Sequence, residues 1–148
     1  MQKLHFTQHI RATRERVWDV LWNDRTYPQW TAPFGEGGKA VSDWKEGSRV
    51  LFLSAEGDGM YGLLDRVDPP ASLSITHQGA YRDGKEQPQD EASREWSGAK
   101  EQYTLTARDG GTELSVSVNV VDSEIEPFRK MFPAALLRVK ELAERPQG

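Results

Sequence analysis

The sequence of 148 residues contains no cysteine, so neither a disulfide framework nor a thiolate nucleophile is available to it. It has no run of about eighteen apolar residues, the length that a membrane-spanning helix needs. Its first ten residues, MQKLHFTQHI, lack the apolar stretch of a signal peptide. Because chains without disulfides suit a reducing compartment, we expect a cytoplasmic protein without a membrane span.

Positive charge is also scarce. Lysine and arginine total 19 against 23 aspartates and glutamates, which gives a formal net charge of -4. A protein that binds phosphate backbones needs an excess of basic residues on one face. The charge balance therefore argues against nucleic acid as a partner.

Metal and cofactor motifs are missing as well. His5 and His9 are four residues apart on a predicted strand, which separates them by roughly 13 Å, too far for one ion. The sequence has no nucleophile elbow, phosphate-binding glycine loop or dinucleotide fingerprint. The glycines of residues 35–40, GEGGKA, follow no predicted strand and open no predicted helix. We therefore expect neither a metal ion nor a cofactor.

The sequence does contain clear periodic patterns near its start. Residues 3–12, KLHFTQHIRA, alternate between apolar and polar positions and predict a half-buried strand. Residues 14–22, RERVWDVLW, place apolar side chains at helical spacing, and Thr13 before them suits the N-cap. We expect this helix to end near Tyr27, because Pro28 disfavours helical geometry in the residue before it.

A series of short strands follows, joined by turns rich in glycine, aspartate and proline. Such turns are typical of hairpins, and parallel neighbours would need longer crossovers, so the predicted sheet is an antiparallel meander. Residues 112–120, TELSVSVNV, alternate and indicate a sheet with one apolar face. One connection, about residues 80–98, is long and polar, and we expect a solvated loop there.

The chain ends in an amphipathic segment. Residues 123–144 repeat apolar side chains at helical spacing and predict a long C-terminal helix. Pro133 lies inside it, lacks an N–H group and crowds the carbonyl group of Arg129, so we expect a kink or a break near Phe132. Because the apolar face of the sheet must be covered, the predicted fold is α+β, with one domain spanning residues 1–148.

These features together resemble the START-like superfamily, also called SRPBCC or helix-grip, and within it the domain named after the activators of the Hsp90 ATPase (the AHSA1-like family). That group has a helix written roughly Val-Trp-x-x-Leu, a following Trp, and a strand ending Val-Asp-Pro-Pro before a Leu-containing strand. The matching residues here are Val17, Trp18, Leu21, Trp30, Val67 to Pro70 and Leu73. The resemblance covers nearly the whole chain and implies a curved antiparallel sheet wrapped around the C-terminal helix.

The first functional hypothesis is a domain that binds a small, largely apolar or aromatic molecule in a cavity between the sheet and the last helix. Aromatic residues are plentiful on elements that should converge, and few polar groups lie among them. The expected wall residues are Trp30, Phe34, Phe52, Ile75, His77, Tyr103, Phe128, Phe132 and Leu136. Trp18 and Trp22, one turn apart on the first helix, are interpreted as packing residues.

The second hypothesis is an enzyme, because the superfamily resemblance includes cyclases and hydrolases that use the same cavity. His77 shares the apolar side of its predicted strand with Leu73 and Ile75. Tyr103 shares a side with Glu101 on another strand. A histidine, a tyrosine hydroxyl and a glutamate are suited to general acid–base chemistry, so His77, Tyr103 and Glu101 are the candidate catalytic residues. Because no complete catalytic motif is visible, binding is favoured over catalysis.

The third hypothesis is a protein-interaction domain. The resemblance to Hsp90 activators implies a chaperone as a partner, and a homodimer also remains open. We rank this hypothesis below ligand binding, because similarity of fold does not carry function by itself.

Overall fold

The strands of the chain form one antiparallel sheet in the computed structural model, which describes residues 1–146. The strands are β1 (Gln2–Ile10), β2 (Lys39–Val41), β3 (Arg49–Leu53), β4 (Gly59–Asp68), β5 (Ser72–Arg82), β6 (Lys85–Glu86), β7 (Lys100–Arg108) and β8 (Gly111–Val120). Seven of them follow the order β1-β8-β7-β5-β4-β3-β2, and β6 pairs with β5 outside that path. The predicted antiparallel meander is therefore confirmed, with β1 added at the edge beside β8.

The helices are α1 (Arg14–Trp22), α2 (Tyr27–Trp30), α3 (Glu91–Arg94) and α4 (Ile125–Glu144), with 3-10 turns at Ala32–Phe34 and Asp122–Glu124. Helix α1 begins as predicted, because the Thr13 hydroxyl accepts a hydrogen bond from the backbone N–H of Arg16 at 3.1 Å. It ends at Trp22, five residues before Tyr27. Pro28 instead lies in the first turn of α2, where a missing N–H costs no helical hydrogen bond.

Helix α4 runs without interruption from Ile125 to Glu144, so the break expected near Phe132 does not occur. Pro133 is exposed, whereas Phe132 and Leu136 on either side of it are buried. Packing of these buried side chains against the sheet keeps the helix continuous across the hydrogen bond that Pro133 cannot donate.

The polar segment expected as a loop over residues 80–98 contains regular structure. Strand β5 continues to Arg82, and β6 pairs with it to close a small hairpin. Asp83 and Gly84 at its turn both have positive φ, at 53° and 74°. Helix α3 follows, and the Asp90 carboxylate accepts a hydrogen bond from the backbone N–H of Ser93 in a capping box.

The core lies between the curved sheet and α4, with α1 closing one end. Its largest buried side chains include Ile10, Leu21, Trp30, Leu64, Leu73, Ile75, Tyr103, Leu105, Leu114 and Leu136. This arrangement of a long C-terminal helix across one apolar sheet face confirms the helix-grip fold. Within residues 1–146, no helix is both long enough and apolar enough to cross a membrane.

Candidate functional site

His77 lies in the middle of β5 and is held by the backbone on both sides. It pairs with Gly62 of β4, and its N–H donates to the carbonyl group of Ala99 at 2.8 Å. A Cβ on Gly62 would lie 2.6 Å from the carbonyl oxygen of Thr76, so glycine permits this close approach of the two strands. The register of β4 and β5 shifts between Tyr61 and Gly62, and such bulges re-aim side chains next to functional sites.

The imidazole of His77 and two side chains of β7 form a chain of hydrogen bonds centred on the Glu101 carboxylate. Nε2 of His77 lies 3.0 Å from Oε1 of Glu101. The hydroxyl group of Tyr103 donates a hydrogen bond to Oε2 of the same carboxylate. His77 is 7% exposed and Tyr103 is 2% exposed. The structure thus brings the three candidate catalytic residues together in the interior.

The Glu101 carboxylate is ionised. Burial raises the pKa of Glu101, but the hydrogen bond and attraction of His77 and the hydrogen bond from Tyr103 outweigh burial and leave that pKa below its usual value. An ionised carboxylate only accepts hydrogen bonds, so Nε2 of His77 carries the proton and donates. When the imidazole is neutral, this tautomer leaves Nδ1 as a hydrogen-bond acceptor.

Two phenols surround this carboxylate and stay protonated. Burial, followed by the charge of Glu101 and its hydrogen bond, raises the pKa of Tyr103 well above its usual value. Burial and the charge of Glu101 also raise the pKa of Tyr27, which belongs to α2. Both tyrosines are therefore neutral side chains beside one buried negative charge.

Nδ1 of His77 is buried and has no hydrogen-bond partner among the described residues. An unpaired buried polar atom costs about 1–3 kcal/mol. The ring of Phe52 lies beside the imidazole, with 5.5 Å between the ring centroids of Phe52 and His77. The cluster thus contains one buried hydrogen-bonding atom without a partner, on an imidazole that lies against an aromatic ring.

Four of the predicted wall residues belong to the packed core. Trp30, Ile75, Tyr103 and Leu136 are each at most 2% exposed. The indole N–H of Trp30 donates to the carbonyl group of Leu21 at 3.0 Å, and its ring lies edge-on to Tyr103. Trp30 therefore has a structural hydrogen bond as well as a large buried ring.

Three other predicted wall residues form an aromatic cluster between α4 and the 3-10 turn after α2, at the edge of the core. The ring centroid of Phe132 lies 4.9 Å from that of Phe34 and 5.7 Å from that of Phe128. Phe34 is 37% exposed and Phe128 is half-buried, so this cluster reaches the surface. Phe52 and His77 lie together on β3 and β5.

An open groove on the surface was not anticipated from the sequence. It has a volume of about 610 Å³ and is lined by Trp22, Asn23, Asp24, Tyr27, Lys39, Ala40, Val41, Ser42 and Trp44. We call it the Trp44 groove. A smaller cavity of about 240 Å³ shares Trp22, Asn23 and Trp44 with it. Neither is lined by a residue of α4, and the groove escaped prediction because its residues come from separate segments that share no motif.

The Trp44 groove adjoins the His77 cluster through two residues. Tyr27 lines the groove and also lies close enough to Glu101 for its pKa to respond to that charge. Ala40 lines the groove and pairs with Phe52 across β2 and β3. Tyr27 and Ala40 therefore stand between the groove and the buried polar cluster.

The two remaining histidines are occupied by local contacts. A ring nitrogen of His5 lies 3.1 Å from the Ser117 hydroxyl, and one of His9 lies 3.1 Å from the carbonyl oxygen of Arg108. In the part of the chain that the structure describes, no group of three or more His, Cys, Asp or Glu side chains is placed to hold a metal ion.

The fold defines a START-like, helix-grip domain. A family model described as "Activator of Hsp90 ATPase homolog 1-like protein" matches residues 11–142, so the chain belongs to that family. A search of curated proteins finds no match.

Solved structures show the same architecture. A protein from Mesorhizobium loti superposes with a TM-score of 0.77 at 17% identity, covering 99% of this chain and 100% of that chain. The Aha1 dimer from Colwellia psychrerythraea gives 0.72 at 17% identity and covers 100% of both chains. An AHSA1-like protein from Aeromonas hydrophila gives 0.67 at 17% identity and covers 99% of both. At these identities the similarity establishes the fold.

Proposed function

We propose that the chain is a small-molecule-binding domain whose ligand, small and largely apolar or aromatic, lies between the sheet and α4 beside His77. The observation that supports this proposal most directly is the buried, unpaired Nδ1 of His77 next to the ring of Phe52. A cytoplasmic location is part of the proposal, because a chain without cysteine suits a reducing compartment.

The residues around His77 combine the two properties that small-molecule sites need. Apolar and aromatic walls supply most of the affinity, and a few fixed polar groups supply orientation. Phe52 provides a ring face, while Glu101, which accepts a hydrogen bond from Tyr103, holds the imidazole in one orientation. A ligand that pairs with Nδ1 removes the cost of leaving that atom unpaired.

We place the entrance at the surface end of the aromatic cluster. Phe34 is exposed and Phe128 is half-buried, and their ring centroids are 6.2 Å apart. Exposed side chains change rotamer within nanoseconds, so we propose that rotation of Phe34 opens the way for a flat molecule. The fully buried Trp30 and Leu136 form the far wall and do not need to move.

The test is a titration of the purified chain with nitrobenzene, a flat aromatic probe without a hydrogen-bond donor, followed by two-dimensional NMR. We expect saturable shifts at Phe52, His77 and Phe132, and binding weakened about tenfold or more in Phe52→Ala because the ring face is lost. Val41→Ala, an exposed apolar change on the neighbouring strand β2, is the matched control and leaves binding unchanged. Shifts confined to the Trp44 groove, or no saturable shifts, would overturn the proposal.

Family membership supports a second proposal, a chaperone of the Hsp90 type as a partner. The test is the ATPase rate of such a chaperone with and without the chain. Stimulation together with co-purification supports this role, and an unchanged rate without co-purification excludes it. Light scattering of the purified chain tests the accompanying proposal of a homodimer, which is the state named for the Colwellia psychrerythraea relative.

A further inference from the structure

The two ring nitrogens of His77 are in different situations. Nε2 is committed to the ionised carboxylate of Glu101 at 3.0 Å, which fixes the hydrogen on that nitrogen. Nδ1 is buried, has no partner among the described residues and carries a lone pair in the neutral imidazole. A purely apolar ligand leaves this lone pair unsatisfied, whereas a ligand with a hydroxyl group pairs with it.

We propose that the site takes a hydroxylated aromatic molecule of the phenol class, and that His77 withdraws the proton of its hydroxyl group. This inference rests on the proposed function, because it concerns the same proposed binding position beside His77. It goes further by assigning the polar group of the ligand and a proton transfer to a stated atom.

The transfer is balanced within the site. The O–H bond of the phenol breaks, its electron pair stays on the oxygen, and an N–H bond forms at Nδ1. The imidazole becomes an imidazolium ion between two anions, the Glu101 carboxylate at Nε2 and the phenolate at Nδ1. The total charge of ligand and cluster is unchanged, and no oxidant or co-reactant is needed. Glu101 acts here as a positioning residue that fixes the tautomer and stabilises the imidazolium ion.

The other titratable groups around the cluster do not compete for the proton. Tyr103 and Tyr27 keep their own protons, because burial and the charge of Glu101 raise the pKa of each.

Two basic side chains on the strands around His77 are engaged in ion pairs of their own. Arg49 of β3 is exposed and pairs with Glu86 at 2.7 Å. Lys100 of β7 is exposed and lies 3.6 Å from Asp65. Neither of these two side chains is therefore free to pair with a bound phenolate.

The test uses 4-nitrophenol, whose ionised form absorbs visible light, and compares it with nitrobenzene, which lacks only the hydroxyl group. We expect 4-nitrophenol to bind about tenfold more tightly than nitrobenzene. In an absorbance titration between about pH 5 and pH 9, the bound 4-nitrophenol should ionise about one pH unit or more below the free compound.

Three variants distinguish the contributions of His77 and Glu101 to binding and to proton transfer. His77→Phe should keep nitrobenzene binding and lose both the preference for 4-nitrophenol and its early ionisation. Glu101→Gln retains a similar shape, and it should reduce the ionisation shift while leaving nitrobenzene binding in place, so the proposal stays testable if His77→Phe does not fold. His5→Phe, an exposed change on β1, is the control and should behave like the parent chain.

Each outcome bears on a separate claim. Equal binding of the two probes without an ionisation shift overturns this inference and leaves the proposed function standing. Tighter binding of 4-nitrophenol in its un-ionised form overturns the proton transfer. If neither probe binds, the proposed function itself fails.

Discussion

Phe6 of β1 and Phe132 of α4 stack with their ring centroids 5.0 Å apart and their planes 13° from parallel. This contact joins the first strand of the chain to its last helix across the apolar face of the sheet. Because Phe132 is 3% exposed and also contacts Phe34 and Phe128, it anchors the middle of α4.

Removing this anchor should destabilise the fold strongly. We expect Phe132→Ala to lower the free energy of unfolding by about 3–4 kcal/mol, because it removes a buried aromatic ring and leaves a cavity. Urea denaturation followed by circular dichroism measures the change. Leu137→Ala, an exposed change on the same helix, should cost less than about 0.5 kcal/mol. Similar losses in both variants would show that α4 is not anchored by its aromatic face.

The carboxylate of Glu101 should contribute to stability as well as to the site. Glu101→Ala leaves His77 Nε2 and the Tyr103 hydroxyl without their acceptor, so we expect a loss of about 2–3 kcal/mol in the free energy of unfolding. The matched control is Glu113→Ala, which removes an ion pair with the exposed Arg108 on the other end of the sheet. That pair should contribute no more than about 1 kcal/mol. An equal effect of the two substitutions would contradict the assignment of a buried polar cluster.

Because the pKa of Glu101 is lowered in the folded chain, we expect the free energy of unfolding to depend on pH in the acid range. The pKa of Glu101 is lower in the folded chain than its usual value of 4.5, so the unfolded chain binds more protons below that value. The stabilisation is therefore complete above about pH 4.5 and is lost as the pH falls through the lower, folded pKa. We expect the difference in unfolding free energy between the parent chain and Glu101→Gln to shrink between about pH 6 and pH 3. A difference that stays constant over this range would contradict the prediction.

At alkaline pH, ionisation of Tyr103 should lower the stability of the fold as the pH rises. Burial and the neighbouring Glu101 raise the pKa of this phenol above its usual value of 10.0, so above that pH the unfolded chain loses the proton first. Stability is therefore complete below about pH 10 and falls as the pH rises further. We expect Tyr103→Phe to weaken this alkaline loss in thermal denaturation curves. Tyr81→Phe, at a phenol without the buried contact to Glu101, should leave the loss as it is.

Much of the interior cluster follows from the period of two in strands. Alternation places Glu101 and Tyr103 on one side of β7, and His77 on the apolar side of β5. Their contact depends on the pairing of the strands, which sets Ile75 opposite Glu101 and leaves His77 as the diagonal neighbour. Periodicity within a strand does not fix that register. The bulge at Gly62 shifts the pairing of β5 with β4, its neighbour on the other side. The sequence thus predicted which face of each strand these side chains occupy, but not that His77 and Glu101 are in contact.

Helix ends and surface grooves were harder to predict, because they depend on tertiary packing. Pro28 indicates a helix boundary, but it lies in the first turn of α2 and does not mark the end of α1. Asp90 and Ser93 cap a helix of four residues inside a segment whose polarity indicated only a loop. Trp44 lies in the loop before β3, and its indole ring packs with its centroid 5.2 Å from that of Trp22. This contact, which forms part of the Trp44 groove, joins residues that are far apart in the chain. No local pattern carries this information.

Proline 133 offers a direct test of how packing overrides local preference in α4. The residue is exposed in the interior of the helix, where a proline removes one backbone hydrogen bond and costs up to about 3 kcal/mol relative to alanine. Because the helix is continuous across it, Pro133→Ala should restore the bond to the carbonyl group of Arg129 and raise the free energy of unfolding by about 1–2 kcal/mol. Pro127→Ala is the control, since Pro127 lies in the first turn, where no N–H has a helical partner, and it should change stability by less than about 0.5 kcal/mol. Equal gains at both positions, or a loss at Pro133, would show that the backbone has already adapted to the proline at position 133.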